Sequence, residues 1–166
     1  LSKNIDFTKY LIVFSEVVLR MRPPNSDRQG IDAYIEGVMK RILDKRGRGS
    51  DEQNRETIQE WCAEKKDSDF ASPRYGNGLK AALIALSERN NERLAQLHRW
   101  LSGEFGNKNL CKELNLPTLE RQNENLQAEA ALLTLGQFNR RAHFRGTVIA
   151  FDEAEQGLSV DKKRFG

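Results

Sequence analysis

Cysteine and histidine are scarce in this chain of 166 residues, with two of each. Cys62 and Cys111 are far apart, and neither they nor His98 and His143 fall at a CxxC or Cys/His ligand spacing. That argues against a structural zinc site and leaves a reducing cytoplasm as the expected compartment. Long apolar runs are lacking too. No stretch approaches the roughly 20 residues a membrane helix needs, and no secretory leader is recognisable, so no membrane partner is expected. Charge of one sign is not in large excess: the net charge of +3 is too mild to imply nucleic-acid binding by itself.

The absence with most consequence is a phosphate-binding loop, since no G-x-x-x-x-G-K-[ST] occurs anywhere. The run Arg46-Gly47-Arg48-Gly49-Ser50 is a poor substitute. It follows a helical pattern rather than a strand and lacks the Lys-Ser/Thr ending, so it reads as a basic turn.

What is present belongs to a globular domain with a real core, 38% hydrophobic and 31% charged. Residues 10–19 are rich in β-branched and aromatic side chains and end before Pro23 and Pro24, which reads as a strand. A helix follows over about 30–45, with Ile31, Tyr34, Ile35, Val38, Met39 and Ile42 on one face and Gly47 and Gly49 at its end. Further helices are expected from Asp51 and after Ser72 and Pro73, where Leu79, Leu83, Ile84 and Leu86 recur. Another carries Leu94, Leu97, His98, Trp100 and Leu101, and a short segment bears Leu110, Leu114 and Leu116. The last long helix spans about 122–141, with Leu126, Ala130, Leu133 and Phe138 as its expected core face. Gly146 then releases the chain into Thr147-Val148-Ile149-Ala150-Phe151, a short continuous apolar run of the kind a strand buried on both faces carries.

That run leads straight into Asp152 and Glu153. Phosphoryl transfer needs a Mg2+ ion to neutralise the β and γ phosphates, and a carboxylate at the C-terminal edge of a parallel sheet can reach the ion or its waters. Asp152 stands where the magnesium-associated acid belongs, and Glu153 where a residue would orient and activate the attacking water. The plainer alternative is a strand ending in a solvated acidic loop, and Glu155 fits a surface carboxylate. Two basic clusters, Lys40, Arg41, Lys45, Arg46 and Arg48, then Arg140, Arg141 and Arg145, read as helix ends, where cations are favoured. DNA or a neighbouring subunit's nucleotide is the other use they would have. Trp61 and Trp100 sit at core spacing and read as packing rather than stacking platforms. His98, among apolar neighbours and without a second ligand, reads as a packed histidine.

Three segments now appear in one order: Ser72-Pro73-Arg74-Tyr75-Gly76-Asn77-Gly78-Leu79, then Leu97-His98-Arg99-Trp100-Leu101-Ser102-Gly103-Glu104, then Phe144 through Asp152-Glu153-Ala154-Glu155. The ordered set resembles the BREX-system ATP-binding proteins of the BrxD type, P-loop ATPases from bacterial antiphage islands. The likeness implies an α/β fold: a partial P-loop NTPase core of AAA+-like type, predominantly helical here because of a large helical insertion. Residues 1–22 would hold a core strand, 23–142 the insertion, and 143–166 the Walker B strand and its loop, all in a single partial ATPase domain. The two strands would lie side by side or one strand apart in a parallel sheet. ATP and Mg2+ are implied, with Asp152 at the metal and Glu153 as the catalytic acid. The phosphate loop would lie upstream of Leu1, so the chain alone is not expected to bind or hydrolyse ATP. Homo-oligomerisation, other defence-system proteins and DNA are possible partners. The competing reading is a non-catalytic helical interaction domain that binds protein or DNA.

Overall fold

The computed structural model describes residues 9–150, apart from the side chain of Arg121. Seven α-helices follow one another: α1 (Tyr10–Arg20), α2 (Ile31–Arg46), α3 (Asp51–Glu64), α4 (Pro73–Ser87), α5 (Asn91–Leu101), α6 (Lys108–Glu113) and α7 (Arg121–Arg141), with a 3-10 turn over Asp67–Asp69. Among the described residues there is no strand.

Local chemistry fixes most of the boundaries. Ser50 and Gln53 cap α3 reciprocally: the Gln53 amide donates to the Ser50 hydroxyl, and the Ser50 amide donates to the Gln53 side chain. Ser72, Asn90 and Asn107 each accept a backbone N–H at the start of α4, α5 and α6. Pro73 is the first residue of α4, where its missing donor costs nothing. Four helices then end alike. In α4, α5, α6 and α7 a left-handed residue follows the cap, respectively Arg89, Gly103, Asn115 and His143. At each, paired bonds tie the two following amides back to the last turn, as in Asn90 N–H to Ala85 O and Arg89 N–H to Leu86 O.

The strand expected over residues 10–19 is a helix. Leu11, Phe14 and Val18 fall on one helical face, and Phe14 and Val18 are fully buried. A short apolar run does not reveal its own period, and here burial of that face outweighs the β propensity of its valines and isoleucine. The companion strand is not seen either. Residues 147–150 form neither helix nor ladder and lie on the surface, with Val148 95% exposed; Phe151 lies outside the described residues. The helical part of the expected fold is therefore present, and a sheet core is not found among the described residues.

The face of α7 also differs from expectation. Leu126 and Leu133 are 66% and 60% exposed, whereas Ala128, Ala131, Thr134, Leu135, Phe138, Asn139 and Ala142 point inward. α7 packs on α1 and α4, with small residues alternating with Leu135 and Phe138 along the buried stripe.

α4 is the central helix, touching α2, α3, α5 and α7. Around it two aromatic groups form the core. Phe14, Tyr75, Trp100 and Phe105 meet edge to face or stacked, with Trp100 and Phe105 ring centres 5.2 Å apart. Trp61, Phe70 and Phe138 form the second, with Trp61 and Phe138 5.4 Å apart. Tyr75 is buried, and its hydroxyl donates to the Leu101 carbonyl at 2.8 Å.

Gly78 explains how α5 reaches α4: a β-carbon there would stand 2.7 Å from the Trp100 ring. Gly136, in the middle of α7, has open space around the same position. Ala favours a helix over Gly by about 1 kcal/mol, so the two sites should respond oppositely to one substitution. Gly136→Ala is expected to raise stability by about 1 kcal/mol, shifting the melting temperature up by about 2–4 °C. Gly78→Ala should lower it by about 1–3 kcal/mol through overpacking. Thermal unfolding of the two variants checks both signs.

Candidate functional site at the exit from the last helix

Asp152, Glu153 and Glu155 lie outside the described residues, so the geometry of the acidic pair itself is not on view. The chain that delivers them is. α7 closes with Ala142 buried and His143 left-handed at φ 66°. His143 N–H bonds to Arg140 O at 3.2 Å and Phe144 N–H to Asn139 O at 3.0 Å, which turns the backbone sharply away from the helix axis.

Two side-chain ties then hold the departing chain. The Tyr34 hydroxyl, from α2, donates to Asn139 Oδ1 at 2.6 Å, and Asn139 Nδ2 donates to Thr147 Oγ1 at 2.6 Å. Burial pushes the Tyr34 phenol well above its ordinary range, so it stays a neutral donor. Because its proton needs the amide oxygen, the amide nitrogen is left facing Thr147. The second tie is Arg41, also on α2. Its Nε and Nη2 both donate to the His143 carbonyl, at 3.3 and 3.1 Å, and its guanidinium carbon lies 5.8 Å from the centre of the Phe144 ring. Sequence reasoning missed the role of Tyr34 and Asn139. Tyr34 shows there only as an apolar position on α2, and Asn139 is hidden among the polar residues that end α7.

The glycine-containing basic turn over residues 46–50 does not fit a phosphate cradle. Gly47 N–H bonds to Leu43 O, Gly49 N–H to Asn54 Oδ1 and Ser50 N–H to Gln53 Oε1, so three of the turn's amides already have partners within the chain. Arg46 pairs with Glu64 and Arg48 with Asp44. These pairs, with Lys45 and Arg46 in the last turn of α2, match the helix-end reading of the first basic cluster. In the second cluster Arg141 pairs with Asp69 at 3.0 Å, while Arg140 and Arg145 are exposed.

Trp61 and Trp100 are fully buried in the two aromatic groups, which is packing. His98 is partly buried with Nε2 lacking a hydrogen-bond partner, and burial lowers its pKa against the pull of Asp32 and Glu36. Cys62 is a buried thiol whose pKa burial pushes up to about 12. Burial raises that of Cys111 as well, so neither is poised as a thiolate. Among the described residues no cluster of three or more His, Cys, Asp or Glu could hold a metal, and no helix is long and apolar enough to cross a membrane.

The end of α7 is thus held to α2 by two sets of bonds, immediately before the exposed residues 145–150. No curated protein and no solved structure is significantly similar to the chain. A family model described as BREX system ATP-binding protein BrxC/D matches residues 4–164, nearly the whole length. The chain belongs to that family of BREX-system ATP-binding proteins.

Proposed function

We propose that this chain is the helical body and the acidic edge of a P-loop ATPase in a bacterial antiphage defence system. In this reading Asp152 attends the magnesium ion through its waters, and Glu153 orients and activates the water that attacks the γ phosphate. The magnesium, when bound, offsets charge on the β and γ phosphates. The phosphate loop would come from sequence outside these 166 residues, since no phosphate-loop motif occurs in them.

The observation that carries the reading is the family match, over residues that include an apolar run leading directly into Asp152-Glu153. The surface position of residues 147–150 lends it no sheet. It does leave Val148 95% and Ile149 46% exposed, and fully burying such a side chain stabilises by about 1.5–3 kcal/mol. A strand partner elsewhere in the whole protein would supply that burial. Cytoplasmic location, self-association and contact with other defence proteins or DNA belong to the same proposal.

A second reading, a helical interaction domain, is favoured by Ile12 and Leu19 on α1 and Leu126 and Leu133 on α7, all exposed on two helices that pack together. Isosteric changes in the full-length protein separate the two. Glu153→Gln should cut steady-state hydrolysis by about 10²-fold or more while sparing ATP binding. Asp152→Asn should weaken the magnesium-dependent part of nucleotide handling, and Glu155→Gln should do much less. Parental hydrolysis by Glu153→Gln contradicts the assignment. The 166-residue chain alone should show no ATP binding by calorimetry, and micromolar affinity would mean the phosphates sit somewhere other than proposed.

A further inference from the structure

Helices α2, α3 and α7 end at one place on the surface. Arg46, the last residue of α2, pairs with Glu64, the last residue of α3. Arg141, the last of α7, pairs at 3.0 Å with Asp69 in the turn that follows α3. Arg41 on α2 reaches the His143 carbonyl just beyond α7. Lys65 lies among them, with its ammonium 4.6 Å from the centre of the Trp61 ring. Burial lowers its pKa, and Arg46 and Arg141 lower it further against the pull of Glu64 and Asp69. Cations from three elements therefore act on one another across this end.

The ion pairs use up the local carboxylates. Glu64 and Asp69 are engaged by Arg46 and Arg141, Asp44 by Arg48, and Asp67 accepts from Asn77. Lys45, Lys66, Arg140 and Arg145 remain exposed, with no carboxylate partner among the described residues. Away from this end arginines meet carboxylates more evenly, as in Arg20 with Glu16, Arg89 with Asp51 and Arg99 with Glu104. Helix dipoles do not account for the surplus. A helix C-terminus carries about half a negative charge, and α2 and α7 already end on Arg46 and Arg141. Lys66 and Arg145 stand outside any α-helix.

We propose that this basic end, where α2, α3 and α7 converge, binds the phosphate backbone of double-stranded DNA. Exposed lysines and arginines with free donors hold phosphates without reading sequence. A duplex suits the surface better than a single strand, which is held by stacking on exposed aromatic rings. Phe144 is already faced by Arg41. Tyr10, the one aromatic among the exposed large hydrophobic residues described, belongs to the other end of α7, where its neighbour Leu11 bonds to Asn125. The surface gives a place to the DNA contact included in the reading above and rests on that reading for its partner, but it needs neither Asp152 nor Glu153.

Fluorescence anisotropy of the 166-residue chain with a labelled duplex of about 20 base pairs, without nucleotide, tests this. Binding at about 50 mM salt should weaken as salt rises, with a log–log slope of about −3.6 if Lys45, Lys66, Arg140 and Arg145 each neutralise one phosphate. Arg140→Gln/Arg145→Gln and Lys45→Gln/Lys66→Gln should each weaken binding about tenfold or more and flatten the slope by about 1.8, with the melting transition unchanged. Arg93→Gln/Lys112→Gln, which removes two exposed cations from α5 and α6, should stay within about twofold of the parent. No binding at low salt, or equal losses in all three pairs, overturns the proposal. A single strand that binds more tightly than the duplex overturns the choice of duplex. Poly-glutamate that displaces the duplex at equal charge concentration assigns the surface to an acidic protein instead. The ATPase reading is judged separately: Glu153→Gln hydrolysing at the parental rate in the full-length protein would refute it and leave these binding results standing.

Discussion

The buried N–H of Ser72 is satisfied from α7, and the entry to the central helix depends on that bond. It donates to Thr134 Oγ1 at 2.8 Å, while Gln127 Nε2 donates to the Ser72 hydroxyl at 2.7 Å and Ala71 N–H donates to Gln137 Oε1 at 2.7 Å. Three side chains of one helix thus hold the entry to α4, the helix against which α2, α3 and α5 pack. Leaving the buried Ser72 donor unpaired costs about 1–3 kcal/mol, and sliding α7 along α4 would break all three bonds at once. At its other end the same helix presents Asn139 to α2. This explains why its inward stripe carries Thr134 and Asn139 among its alanines, Leu135 and Phe138.

That polar and small stripe is also where the sequence was hardest to read. The leucines of α7 suggest a face through Leu126 and Leu133, but the bonds to Ser72 and Tyr34 turn those residues outward. The first helix misleads for a related reason. Val, Ile and Phe favour strands as isolated residues, and only contact with Tyr75 and Phe105 decides that Phe14 is delivered by a helix. Where boundaries depend on neighbours in sequence, the reading succeeds. Ser72-Pro73 opens α4, Asp51 follows the Ser50 cap, Gly47 and Gly103 end α2 and α5, and the short segment around Leu110 is α6.

The candidate site divides along the same line. Asp152 and Glu153 stand out in the sequence as carboxylates that follow an apolar run, and they lie outside the described residues. The bonds that hold the exit from α7 cannot be read there, since Tyr34, Arg41, Asn139 and Thr147 come from distant parts of the chain and none belongs to a motif. Their roles appear only when α2 and α7 are brought together. Membership of the BREX-system ATP-binding family gives the chain as a whole its nucleotide context.

The central claim is that residues 147–151 complete a nucleotide-binding sheet and present Asp152 and Glu153 to the phosphates. The most direct measurement is a structure of the full-length protein with Mg2+ and a non-hydrolysable ATP analogue. The account predicts residues 147–151 as a strand in the same parallel sheet as the strand that enters the phosphate loop. The Asp152 carboxylate should lie on the magnesium ion or its waters, and Glu153 should face the γ phosphate through one water. A bound nucleotide with that segment still unpaired on the surface, and both carboxylates beyond reach of the metal and phosphates, would contradict it.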